Sequence, residues 1–125
     1  MDSFSEALRR RVLRGREFHC LITGDKELQE LNQRFRRKNY PTDVLSFPGP
    51  DGRGGELAIS LARARAQAGK FGHGVEDELC ILMLHGALHL AGLDHEADDG
   101  AMARAEARWR KKFGLPLGLI ARVAA

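Results

Sequence analysis

The chain has 125 residues, enough for one domain with its own core, and 43% hydrophobic with 30% charged residues excludes a disordered or fibrous sequence. Twenty Lys and Arg against 17 Asp and Glu give a net charge of +3, mildly basic and short of an obligate nucleic-acid binder. The longest wholly apolar run, Leu79 to Leu84, is far shorter than the roughly 20 residues of a spanning helix, and the start lacks a basic leader before an apolar stretch. No membrane association or secretory signal is expected. Cys20 and Cys80 stand far apart in apolar company and read as buried thiols of a reducing, cytoplasmic compartment.

No repeat, low-complexity tract or linker divides the chain, so residues 1–125 are read as a single domain. Ser3 to Val12 reads as a helix, with Ser3 or Ser5 as cap, Leu8 and Val12 on one face and Gly15 beyond its end. Phe18 to Thr23 suits a strand, and Gly24-Asp25 a turn into a helix from Lys26 to about Arg36 with Leu28, Leu31 and Phe35 at helical spacing. Asp43 to Phe47 reads as a strand stopped by Pro48, the Gly- and Pro-rich segment 48–55 as a loop, and Glu56 to Ser60 as a strand. Ser60 is placed to cap a helix from Leu61 to Ala68, ended by Gly69. A strongly helical stretch runs from Val75 to about Ala91, with Glu76, Asp77 and Glu78 in its first turn and Gly92 at its exit. A last helix, about Asp98 to Phe113, carries Met102, Ala105, Trp109 and Phe113 as its apolar stripe. The expected fold is α+β: a small mixed sheet of three to four strands packed with about five helices.

Three of the five histidines lie in eleven residues, His85-Gly-Ala-Leu-His89-Leu-Ala-Gly-Leu-Asp-His95. His85 and His89 are one turn apart on one helical face. A left-handed exit through Gly92 lets the chain fold back and bring His95 in from a second direction. Three imidazoles arranged in this way leave a fourth tetrahedral position open, as a catalytic zinc requires. The metal site is therefore expected on a central helix and the turn that follows it, with one zinc per chain held by His85, His89 and His95. Asp94 could receive an imidazole N–H. Glu78, two turns before His85, shares its face, although the helix dipole already accounts for an acid there. The spacing resembles the metzincin protease pattern, with Gly92 at the glycine position. Gly86, however, stands where those proteases carry the glutamate that acts as general base. It is read as leaving room at the metal face for a bulky phosphate.

The same segment, His-Gly-x-Leu-His-Leu-x-Gly-x-Asp-His at 85–95, resembles the signature of the YbeY endoribonucleases. The likeness extends to Leu31-Asn32, Phe35-Arg36, the block Pro41-Thr-Asp-Val-Leu-Ser-Phe-Pro48, the strand Gly55-Glu-Leu-Ala-Ile-Ser60, and Met102 with Glu106. It covers about residues 25 to 114. Glu56 replaces the usual Asp, Leu93 a common Tyr, and the family's first strand is not apparent. The resemblance implies a zinc-dependent endoribonuclease, specific for single strands, in ribosomal RNA maturation (3′-end processing of small-subunit RNA) and ribosome quality control. Ribosomal RNA and ribosomal proteins are then the expected partners. It puts His85, His89 and His95 on the zinc ligands, and Arg36 on an arginine used in RNA cleavage.

A zinc held by neutral imidazoles keeps its charge, acidifies bound water and polarises a phosphoryl oxygen. Catalysis is assigned to Arg36, whose guanidinium can meet the charge that builds on the phosphate, and to His85. Arg34, Arg37, Lys38 and Arg53 are candidate phosphate contacts, and Tyr40 and Phe47 weak candidates for base stacking. Two other classes stay open: a zinc-bound ribosome-assembly factor without turnover, and a zincin-type metallopeptidase, which the missing glutamate disfavours.

Overall fold

The computed structural model describes residues 2–36, 43–50, 54–93 and 99–116. In chain order these form α1 (Asp2–Arg11), β1 (Phe18–Thr23), α2 (Asp25–Arg36), β2 (Val44–Pro48), β3 (Gly55–Ser60), α3 (Leu61–Phe71), α4 (Val75–Leu90) and α5 (Ala101–Phe113). The fold is α+β, with five helices and a three-stranded mixed sheet among the described residues.

β3 is the central strand. It runs parallel to β1, with Cys20 opposite Leu57, and antiparallel to β2, with Ser46 opposite Leu57. Alternation along a strand sends successive side chains to opposite faces. Leu57 and Ile59 accordingly enter the main core with Leu8, Leu13, Leu82, Leu88 and Met102. Ala58 faces the other way, onto a smaller cluster with Leu28 of α2 and Leu45 of β2. α2 therefore covers one side of the sheet, and α4 and its neighbours the other.

α4 is apolar nearly all round, and residues 78–88 are buried without a break. Each fully buried Leu contributes about 1.5–3 kcal/mol relative to exposure, so this helix anchors the domain. Its exit is a Schellman closure: Gly92 sits at φ 99, its N–H bonds the His89 carbonyl, and the Leu93 N–H bonds the Leu88 carbonyl.

The structure shifts several expected boundaries. α3 continues through Gly69 to Phe71 and ends where Gly72 takes φ 72. Ser60 does cap it, accepting from the Arg63 N–H while donating to Asp25 at 2.5 Å. Ser3 and Ser5 lie inside α1, where Ser5 Oγ donates to Met83 Sδ at 3.4 Å. Pro48 closes β2 instead of stopping it one residue earlier. Among the described residues β2 lies at the edge of the sheet, where a missing N–H is tolerated. α5 begins at Ala101, after Gly100 at φ 99. The two cysteines are half-buried free thiols, and burial pushes the Cys20 thiol up to about 11.

Candidate metal centre

The burial of α4 fixes where its histidines can point. His85 is 6% exposed and His89 half-buried, and their rings meet edge to face with centroids 4.9 Å apart. Each ring is oriented through Nδ1. That of His89 lies 2.9 Å from the Leu93 carbonyl oxygen, which the Gly92 turn brings back over the end of the helix. A carbonyl only accepts, so His89 carries its proton on Nδ1 and its lone pair on Nε2. Nδ1 of His85 lies 2.7 Å from Oε2 of Glu106 on α5, and this carboxylate is itself 2% exposed. With the carboxylate accepting, His85 takes the same tautomer. Two imidazoles one turn apart, each tied through Nδ1 to an oxygen, leave both distal nitrogens available as two of the donors that a divalent transition metal takes. The residues present thus fit such an ion.

The third ligand expected from the sequence, His95, lies outside the described residues, as does Asp94. Among the described residues no group of three His, Cys, Asp or Glu forms a metal cluster. Arg36 closes α2, but its side chain is outside those described, and Arg37, Lys38, Tyr40 and Arg53 fall outside as well. Arg34 is exposed on α2, in a shallow depression shared with Lys26, Glu27 and Glu30. Two carboxylates there dilute its positive field. Phe47 is half-buried and packs against the small cluster under α2.

One reading of the sequence gains detail and another needs correction. Glu78 pairs with a histidine of the loop before α4. It is fully buried at the start of α4, with Oε1 2.6 Å from Nε2 of His73. Gly86 faces the sheet. A Cβ there would stand 2.6 Å from Leu57 Cδ2 and 3.3 Å from Ser46 Oγ, and Ser46 already donates to the Gly86 carbonyl at 3.3 Å. The glycine lets α4 lie close on β2 and β3, and the room it makes belongs to the sheet.

Glu106 is the site residue that the histidine spacing could not reveal. A signal was present, because Glu106 is four residues after Met102, on the inward stripe of α5 where a carboxylate needs a partner.

Residues 3–114 match the family model described as Endoribonuclease YbeY. Curated relatives carrying that name include one from Solibacter usitatus, 58% identical over 98% of this chain and 84% of its own length. Another, from Koribacter versatilis, is 52% identical over 85% of this chain and 70% of its own length. Among solved structures, the solution structure of a Thermotoga maritima protein superposes with a TM-score of 0.58 at 29% identity, covering 86% of this chain and 79% of that one.

Proposed function

The chain belongs to the YbeY endoribonuclease family, whose members hydrolyse RNA phosphodiester bonds, and from that premise we propose a zinc-dependent enzyme that cuts single-stranded RNA in ribosomal RNA maturation and ribosome quality control. The ion is held by His85, His89 and His95, one per chain. The observation that carries this reading is the paired orientation of the His85 and His89 rings, each tied through Nδ1 to an oxygen acceptor.

When bound, the ion supplies Lewis acidity to the scissile phosphate and acidifies a water molecule. The residues do the rest. Glu106 takes the Nδ1 hydrogen bond of His85 and so strengthens the ring as a donor at Nε2. The Leu93 carbonyl does the same for His89 with a neutral acceptor. Arg36 pairs its guanidinium with the phosphate oxygens on which negative charge develops. The position after His85 carries no side chain and packs on Leu57, so the peptidase general base has no counterpart there. Small-subunit RNA near its 3′ end is the proposed substrate, in the cytoplasm and in company with ribosomal proteins. No described helix is long and apolar enough to cross a membrane.

The test is elemental analysis of the purified chain, followed by incubation with single-stranded RNA with and without chelator. The expected result is one zinc per chain, with cleavage that stops in chelator and returns on adding zinc back. RNA binding at full zinc occupancy without cleavage would instead make the chain an assembly factor.

A further inference from the structure

Two runs of basic residues, Arg9-Arg10-Arg11 closing α1 and Arg110-Lys111-Lys112 closing α5, lie almost a hundred residues apart. The fold brings them together. Phe4 of α1 meets Phe113 of α5 edge to face at 5.1 Å, and Phe113 stacks with Trp109 at 5.7 Å and 21°. The Arg11 guanidinium lies over both rings, 5.5 Å from Trp109 and 5.4 Å from Phe113. The Lys112 ammonium lies 4.9 Å from the Trp109 ring.

Cations in the last turn of a helix ordinarily compensate its dipole. On these two helices other residues already serve the helix ends. Arg9 bonds Glu6 and the Gly15 carbonyl, Arg10 lies by Glu6, and Arg110 bonds the Leu115 carbonyl. Arg11, Arg108, Lys111 and Lys112 form no ion pair with any described carboxylate. Glu6 is engaged by Arg9, and Glu106 by His85. A guanidinium stacked on an aromatic face keeps its N–H edge directed outward, and its planar fork matches a phosphate. The rings also restrict the two side chains, which lowers the entropy lost on binding.

We propose that Arg11 and Lys112, held over Trp109 and Phe113, clamp backbone phosphates of the single-stranded RNA on which the enzyme acts, as a docking face on α1 and α5 beside the metal centre. The proposal rests on the reading of this chain as an RNA-cutting enzyme. The face is coupled to the centre through α5. Trp109 comes three residues after Glu106, a rise of about 4.5 Å, so one helix both holds His85 and carries Lys112 and the rings beneath Arg11.

The experiment compares the parent with Arg11→Gln/Lys112→Gln. Anisotropy of a fluorescein-labelled single-stranded RNA in chelator gives Kd across a salt series, and cleavage with zinc gives KM and kcat. The double variant should bind about 10-fold more weakly, with a log K against log salt slope smaller by about 1.4, as for two lost phosphate contacts. KM should rise in step while kcat at saturating RNA stays at the parent value. Arg11→Lys keeps the charge and loses the fork, and should fall between the two; it also carries the test if the double variant melts early. Arg65→Gln/Lys70→Gln removes two exposed charges from α3, including another ammonium over a ring, and should bind like the parent. Parental Kd and slope in the Arg11 and Lys112 variants would overturn the proposal. So would equal losses in the two double variants, or displacement of RNA by polyglutamate as effective as by unlabelled RNA. A parent that binds RNA in this pattern without cutting it would sink the enzymatic reading and leave the docking face standing.

Discussion

A histidine–glutamate pair stands near each end of α4, at almost the same separation: 2.6 Å for His73 with Glu78 and 2.7 Å for His85 with Glu106. Both carboxylates are buried. The first pair is local, five residues apart, and uses the distal ring nitrogen, Nε2. It staples the turn between α3 and α4. The second joins α4 to α5 across 21 residues and uses the proximal nitrogen, Nδ1, so the distal lone pair points away from the carboxylate. A second ring, His89, lies beside that of His85, with centroids 4.9 Å apart. The two pairs share a chemistry and differ in what they join: one closes a turn, and the other ties together two helices beside a second imidazole.

The sharpest way to break this comparison is to delete rings. His85→Ala/His89→Ala should lose its zinc and its RNA cleavage altogether, whereas His73→Ala should keep stoichiometric metal by elemental analysis. Acidification should strip zinc from the parent in the same way, because protons compete for the same lone pairs. Arg36→Ala should cut turnover about 100-fold or more with metal content and melting temperature unchanged, as expected of a group that meets only transition-state charge. Glu106→Gln should weaken zinc binding about 10- to 100-fold in chelator competition. Glu78→Gln should leave zinc affinity alone and cost about 1–3 kcal/mol in denaturant unfolding, the penalty for a poorly paired buried group. Equal zinc affinities for these two variants would erase the distinction between the pairs. The smallest effect belongs to Gly86→Ala. Its methyl presses on the ends of Leu57, so about 1 kcal/mol of stability should go, at the low end of overpacking, with zinc retained.

Much of the fold was legible because the patterns were local. Phe18–Thr23 is a strand with the bounds its apolar run indicated, and Ser60 caps α3 as its position implied. The end of α3 was misplaced because Gly69 and Gly72 are both plausible stops, and only backbone geometry shows that Gly72 takes the left-handed turn. At the candidate site, the i, i+4 spacing of His85 and His89 puts both rings on one face, and the structure brings them into contact. The contact of Glu106 with His85, the sheet beneath Gly86 and the meeting of Arg11 with Trp109 depend on how α4 and α5 are laid against the rest of the molecule. No spacing along the chain encodes that placement.

The unbroken burial of residues 78–88 also governs how the centre moves. Opening the turn of α4 that carries His85 would expose core leucines on every side, so its amides should exchange with deuterium only through global unfolding. The Gly92 turn has less cover, since Gly92 is exposed and Leu93 only half-buried at the edge of the core. Exchange there should be faster, set by the opening of the two hydrogen bonds that close the helix. Loss and capture of an ion would then proceed by fluctuation of the turn after the helix, while His85 and His89 keep their places.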